Sequence, residues 1–317
     1  MTRRGWRSAI LRAPCPRITL QSRFALLSTD FAKLTTSLGF QELQLETIPF
    51  VFPQIAASGL FVQLLGNSHF PAALGGIKTK AITICQLRPL DMRFRDKTPE
   101  PTPSDSPEHD GDIDGLHCLM VLTEKRFLET EIEFLVQTDL FDEQGTVWQS
   151  TTCFSVPFTQ KTLLAPLSVS AAQLDAKVVE GREFLDAQST EFACTPRNLD
   201  ELENVSVTNL DGTTTNRSLT PLMWLVGRTA AALQHQKRVP TLPILCSMVL
   251  SDEAAAVPIQ ARVKCESTVS DATKPNDKPI MKVRVTHGST EVISGVLRTV
   301  GWVYEPEAIP SGASGSS

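Results

Sequence analysis

The sequence predicts an α+β fold made of two repeats, each a buried helix followed by about four antiparallel strands. Three observations predict it. A proline-bounded stretch occurs twice, as Phe52–Pro71 (FPQIAASGLFVQLLGNSHFP) and Thr220–Pro240 (TPLMWLVGRTAAALQHQKRVP). Both copies are apolar, rich in small residues and helical in their spacing. Each is followed by strand-like runs that close on a hairpin turn, Asp142–Gly145 in the first half and His287–Thr290 in the second. Hairpins pair their strands antiparallel, and helices on one face of such a sheet make the α+β class.

The repeat rests on prolines in register. Pro53 to Pro71 is 18 positions, Pro221 to Pro240 is 19, and Pro89 and Pro258 each follow 18 positions later. One shared proline means nothing, whereas three with one pattern between them indicate a duplicated unit. Proline is tolerated in a helix's first turn, where its missing N–H has no partner to lose. In the second copy Leu222, Leu225, Val226, Thr229, Ala232 and Leu233 recur at helical spacing,. Apart from Arg228 the opposite face stays apolar until Gln234, and a helix apolar nearly all round is a buried one. A sheet wrapped around it would supply that burial.

Residues 1–29 stand apart. They hold Arg3, Arg4, Arg7, Arg12, Arg17 and Arg23, with serines between them, no lysine and no acid before Asp30. That is the composition of a mitochondrial transit peptide, so the matrix is the expected location, cleavage is expected near Ser28, and the segment is set outside the fold. Without those arginines, 24 basic residues face 35 acidic ones. A domain this acidic is a poor partner for nucleic acid, which needs a basic face. No run of eighteen apolar residues exists, so no membrane span is expected. The seven cysteines include no CxxC pair and the five histidines no HxxxH pair, so neither a metal nor another cofactor is expected. An odd cysteine count also argues against a secreted disulfide framework.

Taken in order, residues 30–160 form the first unit. A short amphipathic start leads to Leu45–Val51 and the first helix. Strands are expected at Gly76–Leu90, Leu116–Leu122, Glu131–Leu140 and Thr146–Phe158. Residues 97–115, KTPEPTPSDSPEHDGDIDG, are too polar to bury a core and are expected to be a disordered loop,. A connector follows over 161–180. The second unit, 181–305, holds the second helix and strands at Ile244–Leu250, Val257–Thr268, Ile280–Thr286 and Glu291–Val303. The Gly/Ser-rich tail, 306–317, is expected to be disordered.

Over roughly residues 45–305 the chain resembles the MaoC-like family of acyl-thioester hydratases and dehydratases, whose fold is the double hotdog. The resemblance is carried by Phe70–Gly75 (FPAALG), Gln86–Leu90 (QLRPL), Val147–Ser150 (VWQS), Met223-Trp224 and Val226–Arg228 (VGR). It implies a trans-2-enoyl thioester on coenzyme A or acyl carrier protein as ligand, with an acyl tunnel beside helix 221–234 lined by Leu222, Trp224 and Leu225. It also implies general acid–base addition of water by an Asp and a His, in a motif like Y-x-x-x-S-G-D-x-N-P-x-H, ahead of a helix opening H-G-M-W.

This chain departs from the motif. Laid on from Phe192, the family's Asp falls on Asn198, its His on Glu203, and the helix-opening His on Pro221. No histidine lies between His117 and His235. Asparagine cannot take a proton as aspartate can. Two readings stay open: Glu203 with Asp200 forms a rearranged acid–base pair, or the dehydratase site is eroded on a water-facing helix. The implied roles are accordingly an active 3-hydroxyacyl-thioester dehydratase, a binding protein for acyl-CoA or acyl carrier protein, or a subunit of a mitochondrial protein complex. A thioesterase using a carboxylate such as Glu203 is a further option.

Overall fold

The computed structural model describes residues 14–24, 28–41, 45, 47–70, 76–90, 116–157, 187–207, 220–270 and 280–300, without the side chains of 28, 29, 203–207, 220 and 270. The first half runs β1 (Thr19–Phe24), α1 (Ser28–Leu38), α2 (Phe52–Ala56), α3 (Ser58–Gly66), β2 (Lys78–Gln86), β3 (Leu116–Phe127), β4 (Glu131–Asp142) and β5 (Gly145–Pro157). The second runs β6 (Gln188–Ala193), α4 (Pro196–Val207), α5 (Thr220–His235), β7 (Ile244–Leu250), β8 (Arg262–Ser270), β9 (Ile280–His287) and β10 (Thr290–Thr299).

All ten strands join one antiparallel sheet in the order β1-β3-β4-β5-β2-β7-β10-β9-β8-β6. Read inward from each edge, the two halves have the same strand order. They meet where β2 pairs with β7, from Ala81 opposite Val249 to Gln86 opposite Ile244. This is the double hotdog arrangement that the resemblance implies. A salt bridge clips the seam: Lys78 and Lys80 both reach Asp252, at 2.7 and 2.8 Å. Being exposed, such pairs add about 0–1 kcal/mol each.

One expectation is corrected at the N-terminus. Residues 19–24, assigned to a leader outside the fold, form the edge strand β1, paired with β3 from Thr19 opposite Val121 to Phe24 opposite Leu116. Ile18 is buried, and Leu20 and Phe24 pack against the core. These even-numbered positions form a period-two stripe, which the interleaved arginines conceal. β1 also gives the first half a counterpart to β6. Neither β6 nor its place beside β8 is anticipated by the sequence.

The first buried helix is two helices. It breaks at Ala57, whose backbone sits at φ −73°, ψ −4°. The break lets α2 point Phe52 and Ile55 into a core shared by both halves, while Phe61, Leu64 and Leu65 of α3 enter a second cluster under β3, β4 and β5. The strand expected over Val257–Thr268 starts only at Arg262. Pro258 has no N–H to give a ladder, and Gln260 adopts φ +70°. β3 is longer than expected and runs through an irregularity between Leu122 and Glu124 to Phe127. The loop 97–115, the connector 161–180 and the tail 306–317 lie outside the described residues, as does residues 1–13 of the leader.

Helix α5 is buried nearly all round and fastens the halves together. Trp224 Nε1 donates to the Ser37 carbonyl at 3.1 Å, Arg228 Nη1 to Leu38 at 2.8 Å, and His235 Nε2 to Gly39 at 2.9 Å. Three side chains of α5 thereby take up the carbonyls that the end of α1 leaves without helical partners. Gly39 is required there. It closes α1 at φ +72°, and a Cβ would fall on the Arg228 guanidinium,.

Candidate functional site

The β6–α4 junction, on which the resemblance lays the family's motif, is built as a helix cap. Thr195 precedes α4 and Pro196 opens it. Asn198 N–H donates to Thr195 Oγ1 at 3.3 Å. The Asn198 amide oxygen in turn accepts from Thr195 N–H at 3.1 Å and from its hydroxyl at 2.6 Å. This reciprocal pairing is a capping box, and it commits the Asn198 oxygen to backbone architecture. Asn198→Ala is therefore expected to cost about 1 kcal/mol, while Asn198→Asp, which keeps the acceptor, costs less. Urea denaturation checks this, and an Ala variant as stable as the parent would remove the cap from the account.

Asn198 and Glu203 lie five positions apart on α4, so their Cα atoms sit about 140° apart around its axis. The Glu203 side chain lies outside the described residues. Asp200 is exposed, and Glu201 pairs with Arg197 at 2.8 Å.

The structure places Leu222, Trp224 and Leu225 in the shared core. All are buried, and Trp224 lies edge-on to Phe192 at 5.8 Å. They are not among the residues lining the cavity described next. Arg228, the polar exception on this helix, is a neighbour to which the sequence assigns no role. Its guanidinium lies 5.1 Å over the Phe192 ring, and its Nε is buried without a partner. Burial lowers its pKa, opposed by the adjacent Cys194. A lone cation inside an apolar helix was the visible signal.

A cavity of about 510 Å³ opens at the other end of α5, where β2 ends and β7 begins. Phe40, Leu45, Ile48, Phe50, Val239 and Ile244 give it apolar walls, and Thr47, Gln86, Gln234, Lys237 and Thr241 add polar side chains. The volume falls within the range of small-molecule sites, about 300–1,000 Å³, and the mix of many apolar and few polar groups is typical of them. Trp148 supports one wall from behind by donating Nε1 to the Phe50 carbonyl at 2.7 Å. No local sequence pattern announces this cavity, because its walls come from separate segments of both halves.

All seven cysteines are free thiols. Burial pushes Cys118 and Cys265 up to about 12 and Cys194 to about 11, and raises Cys153 and Cys246 further. Burial also raises Cys15 and Cys85. Among the described residues no group of three His, Cys, Asp or Glu is placed to hold a metal ion, and no helix is long and apolar enough to cross a membrane.

No family model matches the sequence, and no curated protein matches it. Solved structures do match the fold. A MaoC-like dehydratase aligns with a TM-score of 0.58 at 10% identity, over 92% of this chain and 99% of its own. A MaoC-like dehydratase from Phytophthora capsici aligns at 0.54 with 14% identity, over 93% and 97%. HtdX of Mycobacterium tuberculosis aligns at 0.54 with 13% identity, over 89% and 100%. The likeness runs nearly end to end, and at these identities it shows the fold alone: the chain has the double hotdog fold that these structures share.

Proposed function

We propose that this double hotdog binds acyl thioesters of coenzyme A or acyl carrier protein in the mitochondrial matrix, and that its dehydratase site is eroded. The observation that carries the reading is the apolar cavity of about 510 Å³ with its few polar groups, set in a fold shared with MaoC-like dehydratases. Long acyl chains need such walls, since each buried methylene contributes about 0.8 kcal/mol. The acyl chain is assigned to this cavity and not to Leu222, Trp224 and Leu225, which are buried core residues near the opposite end of α5.

The eroded site is supported by the role of Asn198. General acid–base addition of water needs a group that takes up and returns a proton. A carboxamide does neither, and this one is already engaged by Thr195.

The test uses the full chain with decanoyl-CoA for binding and with crotonyl- and decenoyl-CoA for hydration, followed by enoyl-thioester absorbance. Saturable decanoyl-CoA binding without turnover is expected. Ile48→Trp, which fills the cavity, is expected to weaken binding at least tenfold, about 1.4 kcal/mol. Turnover that disappears in Glu203→Gln would replace this reading with an active dehydratase. Binding that Ile48→Trp leaves unchanged would remove the chain from the cavity. Absence of all ligand binding would point instead to a subunit role in a larger assembly.

A further inference from the structure

Helices α1 and α5 end in the same backbone geometry. At α1, Phe40 N–H returns to the Thr35 carbonyl at 2.8 Å and Gly39 N–H to Thr36 at 3.2 Å. At α5, Arg238 N–H returns to Leu233 and Lys237 N–H to Gln234, both at 2.9 Å. Both are Schellman motifs, whose closing position turns left-handed and favours glycine. α1 obeys with Gly39. α5 instead places Lys237 there, at φ +52°. A side chain in that region costs on the order of 1–2 kcal/mol, and strain of this kind points to use when another observation concurs.

Two observations concur. Lys237 lines the apolar cavity, where it is the cation among the lining residues. Lys237 is exposed at the cavity's mouth, and among the described residues its ammonium has no hydrogen-bond or ion-pair partner. The negative end of the α5 dipole favours a nearby cation, but a lysine one turn earlier would satisfy it without a positive φ. An unengaged ammonium beside an apolar chamber suits a ligand with an apolar chain and an anionic head.

We infer that Lys237 receives the head group of the cavity's ligand, and that this head is anionic, a carboxylate or a phosphate. The inference rests on the reading that the cavity holds an acyl chain. It narrows the ligand class to anionic amphiphiles, with the chain against Ile48, Phe50 and Val239 and the charge at Lys237.

The experiment measures binding of decanoate, decyl phosphate and decanol to the full chain, as wild type, Lys237→Gln and Lys237→Gly. Wild type is expected to bind the better of the two anions about tenfold more tightly than decanol, and both variants to lose that margin while keeping decanol. Added salt is expected to shrink the margin in wild type alone. Decyl phosphate leading identifies a phosphate head, as a thioester's carrier supplies; decanoate leading identifies a free carboxylate, which keeps the role of Lys237 but replaces the thioester of the proposed function with a free acid. Lys237→Gly is also expected to unfold at a higher temperature, since glycine relieves the strain, which separates lost recognition from lost folding. Decanol bound as well as either anion by wild type, or an anion margin that survives in Lys237→Gln, overturns the role of Lys237 and leaves the cavity standing. Failure of wild type to bind any of the three overturns the cavity reading with it.

Discussion

Removing residues 1–28 is expected to destabilise the protein severely and make it associate, whereas removing residues 1–13 is expected to leave it as stable as the full chain. The longer deletion takes β1 away. It strips six register positions from β3, Thr19 through Phe24 opposite Val121 through Leu116. It also removes Ile18, which is 5% exposed and whose carbonyl accepts from Leu122 N–H at 3.0 Å. Burial of one such side chain contributes about 1.5–3 kcal/mol, and six ladder positions add to it, so a loss of at least about 3 kcal/mol is expected against a total of about 5–15. The newly bare edge of β3 is a template for strand addition. Thermal unfolding and gel filtration of both truncations decide the matter. A 1–28 deletion that melts and elutes like the full chain would mean that β1 is dispensable. For the import reading the consequence is direct: cleavage near Ser28 would remove Ile18 and the whole of β1.

Trp148→Ala is expected to cost about 3–5 kcal/mol, the range for removing a large aromatic from a packed core. Trp148 is fully buried on β5, opposite Gln86 on one side and Leu140 on the other. Its indole N–H anchors the Phe50 carbonyl. Trp148→Phe separates packing from anchoring. It keeps most of the apolar contact but leaves a buried carbonyl without its donor, a loss of about 1–3 kcal/mol. Phe50 also forms a wall of the cavity, so Trp148→Phe is expected to weaken ligand binding by more than its stability loss alone explains. Denaturant titrations of both variants, with decanoyl-CoA binding to Trp148→Phe, check this. A Trp148→Ala variant within 1 kcal/mol of wild type would contradict the packing described.

Much of the architecture was legible because it is periodic. Prolines in register marked the duplication, and alternating apolar residues marked the strands of both hairpins. The misses have local causes. β1 carries an apolar stripe at Ile18, Leu20 and Phe24, but Arg17 and Arg23 flank it and composition spoke first. The break at Ala57 leaves no trace in a continuous apolar run, since it reflects two clusters that exist only after the sheet has wrapped. Thr195 and Asn198 have capping-box spacing, which a reading focused on acid–base partners overlooked. The cavity is the least legible feature. Leu45, Ile48, Gln86, Val239 and Ile244 are distant in sequence and become neighbours only through the β2–β7 seam. The left-handed turn at Lys237 is hidden likewise, because nothing in GlnLysArg announces a positive φ.

The buried thiols bear on the safety of the proposed cargo. A thioester is an activated acyl group, and a thiolate is the nucleophile that would capture it. None of the seven cysteines lines the cavity, but under the proposed function any reactive thiol in the protein would be open to acylation by its ligand. With Cys194 held near 11 and Cys118 and Cys265 near 12, roughly one thiol in ten thousand or fewer is ionised at neutral pH. The other four are shifted the same way. The interior thus contributes sulfur as apolar filling while withholding its reactivity, which under the proposed function would let a bound acyl group leave still attached to its original carrier.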